Sequence, residues 1–167
     1  MTRDRVFVGL GSNVGDRRGH LRRAVKGLAA LPTTRVKALS RVYETAPVGP
    51  RQRNFFNAVA ELRSNLSPDR LLEELKALER ALGRRKRRRW GPREIDLDLI
   101  LYGARRRRTT TLHLPHPRWR ERRFVLVPLM DIAPRFRDPL TGQSVTVLAR
   151  KLTDPDQWIR LSKRPLV

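Results

Sequence analysis

Cysteine is absent from the 167 residues of this chain. A disulfide scaffold and a cysteine-ligated metal site are therefore both excluded. Long apolar runs are missing as well. The first one ends at Gly9, which is too short for the core of a signal peptide, and no run approaches the length of a membrane span. We expect a cytoplasmic protein without a membrane partner.

Acidic residues are scarce, since 16 Asp and Glu stand against 38 Lys and Arg, for a formal charge of +22. Such a charge attracts nucleic acids, nucleotides or anionic lipid headgroups, although it says nothing about the fold. A compositional bias toward arginine would give the same charge without a dedicated partner. The length is that of one domain, and we find no repeat or linker, so we expect a single domain over residues 1–167.

Residues 89–101 combine a cationic turn with a strand. Apolar and polar residues alternate from Glu94 onward, so Asp96 and Asp98 are predicted to share one face of the strand, about 6.5 Å apart. The ordinary explanation of such a pair is the wet face of a half-buried strand. A run of arginines and Trp90 directly precede the pair, however, and this setting favours a functional role.

The periodicity of the first hundred residues predicts the element order βαββαβ. Strands are predicted at residues 6–10, 35–43 and 55–62 and after Glu94, with one helix ending at Pro32 and another beginning at the N-cap Ser67. This order is typical of a ferredoxin-like α+β plait, in which helices cover one face of an antiparallel sheet. We expect a C-terminal extension after it.

The remaining segments carry weaker signals. The glycine-rich turn at residues 11–16 can suit a phosphate, but it lacks the Lys-Ser/Thr of a P-loop, which favours a plain tight turn. Glu79 lies off the apolar stripe of its helix, which predicts a solvated or arginine-paired side chain. Residues 105–108 are interpreted as an exposed turn, residues 122–129 as a return to the core, and the end of the chain as a weakly patterned tail.

Two aspartates behind a basic loop suggest metal-assisted phosphoryl chemistry. Carboxylate oxygens suit Mg²⁺, and a pair of such ions activates an attacking oxygen while neutralising phosphates. Arginines match phosphate oxygens, and closure of their loop would exclude water. His116 would contact a phosphate or cap a turn, and the Asn57 amide would read a heterocycle or occupy an ordinary strand edge.

The chain resembles the hydroxymethyl-dihydropterin pyrophosphokinase family of folate biosynthesis from the Gly-Ser-Asn turn to at least Pro134. The signature that carries the resemblance is Arg89-Trp90-Gly91-Pro92-Arg93-x-x-Asp96-Leu97-Asp98-Leu99-Ile100. Supporting matches are Tyr43-x-Thr45, Gly49-Pro50, Asn57-Ala58, Pro115-His116 and Arg122-x-Phe124. The resemblance implies transfer of diphosphate from ATP to a dihydropterin alcohol with release of AMP, by a protein that we expect to be a monomer acting on small molecules.

The resemblance also implies roles for individual residues. Asp96 and Asp98 match the ligands of two Mg²⁺ ions, and Arg84 and Arg93 match loop arginines that assist the transfer. The positions implied to bind the pterin are Thr45, Val48, Phe55, Asn57, Trp90 and Phe124. Those implied to bind ATP are Glu79, Arg84, Arg93, Leu99, His116 and Arg122.

The chain departs from the family pattern at several positions. Phe55 stands where tyrosine is frequent, Ala46 replaces a frequent proline, and the segment between Gly83 and Trp90 is about one residue shorter, which leaves open which of residues 85–88 contacts phosphate. Two other functions fit parts of the sequence. An RNA-binding plait would use the +22 charge but would expect aromatics in place of the aspartates. A two-metal nucleotidyltransferase would keep the aspartates and release pyrophosphate.

Overall fold

A six-stranded antiparallel sheet lies at the centre of the protein, as seen in a computed structural model that describes residues 4–167. Its strands follow one another in space as β5, β1, β4, β3 and β8, and β2 also pairs with β4. They are β1 (Asp4–Ser12), β2 (Thr34–Leu39), β3 (Tyr43–Thr45), β4 (Phe55–Ser64), β5 (Asp96–Tyr102) and β8 (Ile159–Leu161). A separate hairpin pairs β6 (Arg107–Arg108) with β7 (His113–Leu114).

In the part of the chain that the structure describes, four helices pack on this sheet, and side-chain caps begin three of them. They are α1 (Arg17–Ala29), α2 (Pro68–Ala81), α3 (Arg123–Ile132) and α4 (Val145–Lys151), with a 3-10 turn (Trp119–Glu121) before α3. Asp16 accepts the Gly19 N–H (2.9 Å), and Ser67 accepts the Arg70 N–H (3.2 Å). Such caps satisfy backbone donors that have no partner within the helix. The predicted helix start at Ser67 is therefore confirmed.

Helices α1 and α2 pack on one face of the sheet, and α3 and α4, which belong to the C-terminal extension, cover the other face, for which the sequence predicts no cover. Val6, Val8 and Leu10 of β1 belong to the core beneath α1 and α2, whereas Phe7 packs with residues of α3 and α4. Alternate side chains of a strand point to opposite faces, and both faces of β1 are apolar. Each face therefore needs a cover, and the C-terminal third of the chain provides the second one.

Three local predictions also need correction. The predicted strand at residues 35–43 is two strands, because the chain bends at Ser40, which exchanges hydrogen bonds with the Val59 backbone (2.8 and 2.9 Å). Arg107 and Arg108 are exposed as expected but pair with β7. The weakly patterned tail contains α4 and β8, whose seven and three residues are too short to produce a clear period.

The apolar alternation of β5 breaks after Leu99. The register with β1 shifts between Phe7 and Val8, which leaves Ile100 opposite no residue of β1. Leu101 consequently packs with the α3 core instead of continuing the face of Leu97 and Leu99. Such a bulge is not visible in a sequence that keeps alternating. Among residues 4–167, no helix is both long enough and apolar enough to cross a membrane.

Helix α4 provides a direct test of the second core. Leu148→Ala removes a side chain that is 9% exposed and should lower the free energy of unfolding by roughly 2–4 kcal/mol. Val147→Ala, at a position 40% exposed in the same helix, should change it by less than about 0.5 kcal/mol. Denaturant titration measures both values. Equal stabilities for the two variants would mean that α4 does not belong to the core.

Candidate active site

A cavity of about 210 Å³ lies beside the beginning of α3, over strands β1, β4 and β5. The loop before β4 and the loop before β5 form its rim. Its lining combines aromatic rings, small residues, an amide and two carboxylates. The residues are Gly9, Leu10, Gly11, Thr45, Ala46, Val48, Phe55, Asn57, Ala58, Trp90, Gly91, Arg93, Asp96, Asp98, His116, Arg122, Phe124 and Val125.

Two glycines of β1 keep the floor of the cavity open. A β-carbon at Gly11 would lie 2.7 Å from the Asn57 Oδ1, and one at Gly9 would lie 3.0 Å from Ile100 Cδ1. The two glycines are two residues apart and share one face of the strand. A Gly-x-Gly spacing within a strand is a signal of close approach, and it would have placed Gly11 in β1 and not only in the turn that follows.

The Asn57 amide is fixed in orientation within the cavity. Its Nδ2 donates to Thr45 Oγ1 (2.7 Å), and both side chains are buried. An amide both donates and accepts hydrogen bonds, so a fixed one recognises a matching edge of a planar ligand. Asn57 and Thr45 lie on neighbouring strands, where residue 57 pairs with Tyr43. Their proximity follows from the strand pairing.

Trp90 lies at the rim in a left-handed backbone conformation (φ 63°), which is unusual for a non-glycine residue. The guanidinium groups of Arg118 and Arg89 lie 5.2 and 5.5 Å from its ring centroid, within the range of cation–π attraction. Gly49 of the opposite loop, also at positive φ (96°), approaches so closely that a β-carbon there would lie 3.0 Å from Trp90 Cβ.

Asn13 joins the two loops of the rim. Its Nδ2 donates to the Gln52 side chain and to the Arg53 carbonyl (2.9 Å each), while its Oδ1 accepts the Arg93 N–H (2.8 Å). Gln52 in turn donates to the Trp90 carbonyl (2.7 Å). The side chain is only 2% exposed. The sequence indicates only a plain turn around Asn13. Its partners Arg53 and Arg93 lie 40 and 80 residues further along the chain, so no local pattern predicts these contacts.

Asp96 and Asp98 share one wall of the cavity, as the alternation of the strand predicts. Asp96 pairs with Arg84 (3.0 Å). Burial, followed by the negative charge of Asp96, raises the pKa of Asp98 to about 7. The two carboxylates therefore form an electrostatically strained pair that a cation would relieve.

Within the described residues, no three His, Cys, Asp or Glu side chains come together as a metal cage. Two carboxylates that face a cavity are nevertheless a fitting platform for Mg²⁺, which keeps several waters and takes further ligands from phosphates. The two carboxylates offer only oxygen ligands, and too few of them to complete the coordination of Mg²⁺ without water or phosphate oxygens. They therefore suit a metal ion that enters with phosphate ligands better than one held by the protein alone.

Glu79 is buried beneath this wall at 2% exposure, so the solvated alternative is wrong and the arginine-paired one is confirmed. Its Oε1 accepts the Leu97 N–H (2.7 Å), and its Oε2 pairs with Arg84. Lys76 lies 3.4 Å away. A buried carboxylate needs such partners to remain charged. Through Arg84, Glu79 is linked to Asp96.

A second cavity of about 300 Å³ meets the first at two residues, Asp98 and His116. It lies between α2, β5 and the loop between β6 and β7. Its other lining residues are Leu72, Lys76, Leu97, Leu99, Thr110, Thr111, Leu112, His113 and Pro117. Of the residues that line this cavity, the sequence predicts Asp98, Leu99 and His116 as site residues. The loop residues 110–112 are not predicted, because the sequence before them indicates only an exposed turn.

His116 is a neutral imidazole at the junction of the two cavities. Burial, and then the positive charge of Arg122, lower its pKa to about 4. The backbone N–H of His116 donates to the Ile100 carbonyl (2.8 Å), and its Nδ1 lies 3.2 Å from the Arg118 N–H. Because Nδ1 accepts that hydrogen bond, the ring proton is assigned to Nε2, which is then the donor.

The structure brings most of the predicted site residues together. All six pterin positions line the first cavity, as do Arg93, Asp96, Asp98, His116 and Arg122, while Leu99 lines the second. Glu79 and Arg84 line neither cavity and reach the site through Asp96. Of the loop cations at residues 85–88, Arg87 pairs with Glu94 (2.5 Å) and lines neither cavity.

Comparison with known proteins gives a consistent result. The sequence profile described as 7,8-dihydro-6-hydroxymethylpterin-pyrophosphokinase (HPPK) matches residues 7–134. A 2-amino-4-hydroxy-6-hydroxymethyldihydropteridine pyrophosphokinase of Methylorubrum extorquens is 47% identical over 152 residues, 90% of this chain and 94% of the relative. Another, from Synechocystis, is 40% identical over 153 residues, 92% of this chain and 78% of the relative.

Solved structures share the fold at low identity. A crystal structure of HPPK-DHPS in complex with substrates has a TM-score of 0.72 at 12% identity. The superposition covers 90% of this chain but only 43% of that one, so the chain spans less than half of this larger protein. The profile match over most of the chain and the identities of 47% and 40% carry the assignment. On that evidence, the chain belongs to the 7,8-dihydro-6-hydroxymethylpterin-pyrophosphokinase family.

Proposed function

We propose that this chain transfers the terminal diphosphate of ATP to the hydroxymethyl group of 6-hydroxymethyl-7,8-dihydropterin, releasing AMP, in folate biosynthesis. The hydroxyl oxygen attacks the β-phosphorus, the bond from this phosphorus to the oxygen bridging to the α-phosphate breaks, and the hydroxyl proton is released. The observation that carries the proposal is the meeting of two cavities at Asp98 and His116. A reaction between two bound molecules needs such adjoining sites.

The first cavity is the proposed pterin site. Trp90 and Phe124 are the aromatic residues proposed to hold the pterin ring by stacking, with Phe55 beside them. The fixed Asn57 amide and the Thr45–Val48 backbone are proposed to read its hydrogen-bonding edge. A planar heterocycle suits this combination of aromatic residues and a fixed amide.

The second cavity is the proposed ATP site. Leu99 would contact the base, and His116, as a neutral donor through Nε2, would bind a phosphate oxygen together with Arg122. Arg84 and Arg93 are the proposed catalytic arginines, which would stabilise negative charge on the transferring group. Glu79 would act by holding Arg84 and the Leu97 backbone.

Asp96 and Asp98 are the residues proposed to hold two Mg²⁺ ions. Bound Mg²⁺ would neutralise phosphate charge and favour loss of the hydroxyl proton. The position of both carboxylates on the cavity wall supports this assignment, and so does the raised pKa of Asp98, because burial and the charge of Asp96 disfavour its charged form and a bound cation would favour it. We further propose that the sheet and its first two helices form a ferredoxin-like plait within a single domain.

Substitution of the two aspartates tests the proposed chemistry. Asp96→Asn and Asp98→Asn should each lower AMP formation about 100-fold or more, because the carboxylate charge that holds the metal is lost. Glu73→Gln, at an exposed position on α2, serves as the control and should retain activity. The assay contains ATP, Mg²⁺ and the pterin alcohol. Release of pyrophosphate in place of AMP would identify a nucleotidyltransferase and refute the proposal.

A substitution at the cavity floor tests the pterin site. Gly11→Ala places a methyl group 2.7 Å from Asn57 Oδ1 and should displace that amide. Overpacking of this kind costs about 1–3 kcal/mol, so we expect the KM for the pterin alcohol to rise about tenfold. The KM for ATP should stay within about twofold. A rise in the KM for ATP alone would contradict the assignment of the two cavities.

The buried His116 predicts an acid-labile contribution to stability. Its folded pKa of about 4 lies below the ordinary value of 6.5, so the unfolded chain binds the proton first as the pH falls. The contribution of His116 to the free energy of unfolding is fully present above pH 6.5. It is lost as the pH falls toward 4, by as much as roughly 3 kcal/mol.

Denaturant unfolding between pH 7 and pH 4 measures this contribution. As the pH falls, the free energy of unfolding should decrease more for the wild type than for His116→Gln, which has no imidazole at this position. His113→Gln, which removes an exposed imidazole three residues earlier, should show no such shift. Parallel pH profiles for the wild type and His116→Gln would contradict the prediction.

A further inference from the structure

The C-terminal strap, defined as residues 154–166, contacts one wall of the pterin cavity through the backbone. Strand β8 pairs with β3, with Ile159 opposite Thr45. Directly beyond this pair, the Ala46 N–H donates to the Trp158 carbonyl (3.2 Å). Thr45 and Ala46 both line the cavity. The strap therefore holds the backbone that carries two cavity residues.

The same strap contacts the opposite wall through Gln157. Its Oε1 accepts the Arg123 N–H and its Nε2 donates to the Glu121 carbonyl, at 2.9 Å each. The Arg123 guanidinium also donates to the Gln157 carbonyl (3.1 Å). Arg122 and Phe124, on either side of Arg123, line the cavity. Gln157 thus fixes the position of the segment that carries Arg122 and Phe124.

Gln157 replaces a cap that α3 does not have. The N-cap residue Arg122 makes no side-chain cap hydrogen bond, whereas α1, α2 and α4 are each capped by the side chain of their own N-cap residue. The first N–H groups of a helix need an outside acceptor. For α3, the acceptor comes from 34 residues further along the chain.

The strap is held in shape at its start and anchored to α1 at its end. Near its start, the Asp154 carboxylate accepts from the Asp156 N–H (3.0 Å) and from Gln157 Nε2 (3.1 Å), which orients the Gln157 side chain within the strap. At its end, Leu166 is buried in the α1–α2 core, and Arg22 of α1 donates to its carbonyl (2.9 Å). A segment that is anchored in this way transmits position between the elements that it contacts.

We propose that the C-terminal strap is a brace that sets the distance between the two walls of the cavity, and that Gln157 is a positioning residue for the pterin substrate. This inference rests on the proposed function, because it takes the cavity to be the pterin site. The strap lies beyond residue 134, where the match to the family profile ends. Gln157 would touch no substrate. It would act through Phe124 on one side and, by way of β8, through Thr45 on the other.

Two variants test the brace, one for each wall. Gln157→Ala removes the side-chain hydrogen bonds to the Arg123 N–H and the Glu121 carbonyl but keeps the Gln157 carbonyl that accepts from the Arg123 guanidinium. Arg160→Pro disrupts the pairing of β8 with β3. The Ala46 N–H donates to the Trp158 carbonyl and the Ser162 N–H to the Val42 carbonyl, so in the alternating antiparallel pattern the Arg160 N–H faces the Glu44 carbonyl. Proline has no N–H and cannot make this hydrogen bond. The control for Gln157→Ala is Gln143→Ala, whose side chain accepts from Lys151 away from the cavity. The control for Arg160→Pro is Arg160→Ala, which removes the exposed pair with Glu44 but keeps the N–H.

Steady-state kinetics provide the first measurement. In Gln157→Ala and Arg160→Pro the KM for the pterin alcohol should rise about fivefold, which corresponds to about 1 kcal/mol. The kcat at saturation should stay within about twofold, and so should the KM for ATP in Arg160→Pro. Both controls should match the wild type. A lower melting temperature with an unchanged KM for the pterin alcohol would show that the strap is only structural, and would overturn the proposal.

Hydrogen exchange of the free protein provides a second measurement that does not depend on activity. Peptides covering residues 44–48 and 121–126 should exchange faster in Gln157→Ala than in Gln143→Ala, because local hydrogen bonds limit their opening. Unchanged exchange in both peptides would overturn the brace. If the wild type forms no AMP, the proposed function fails, whereas the exchange result still decides whether the strap holds the two walls.

Discussion

The pairing of β1 with both β4 and β5 is the constraint on which the site depends. Gly11 lies opposite Asn57 on one side and Asp96 on the other, and Gly9 lies opposite Val59 and Asp98 in the same way. The register therefore places an amide and two carboxylates on one face, separated by two residues without side chains. A shift of one residue would turn the carboxylates toward the apolar core under α1 and α2. The same strand register therefore determines both the space of the cavity and the polar groups that face it.

The electrostatics of the site show how a strongly basic protein keeps a negative wall. Asp96 and Asp98 are held close together by the strand, and Glu79 is buried behind them. Arg84 pairs with both Glu79 and Asp96, while the Leu97 N–H satisfies the second oxygen of Glu79. Arg84 therefore offsets the negative charge of these carboxylates locally, in a protein whose net charge is strongly positive. Such partners are needed because a carboxylate with little access to water is otherwise costly to keep charged.

The second face of the sheet has two roles. Helices α3 and α4 bury the apolar side chains that β1, β4 and β5 present there, and the beginning of α3 supplies one wall of the cavity. The C-terminal strap ties this wall to the loop after β3. Stability and site geometry are therefore coupled through the same segment. Residues far from the aspartates in sequence contribute to the width of the space in front of them.

Much of the site could be predicted from the sequence, because local patterns specify it. The period of two in β5 predicts that Asp96 and Asp98 share a face, the Ser67-Pro68 cap predicts the start of α2, and the spaced signature carries the family resemblance. These features depend on near neighbours, and near neighbours are what periodicity and capping report.

The tertiary structure alone decided the hydrogen bond between Glu79 and the Leu97 backbone and the roles of Asn13 and Gln157. The hydrogen-bond partners of these three residues lie 18, 80 and 34 residues away, respectively, and no local pattern marks such pairs. It also decided the bulge at Ile100 and the placement of α3 and α4 on the second face. Local sequence determined which side chains each strand and helix presents. Burial and backbone hydrogen bonding across the folded chain determined what those side chains meet.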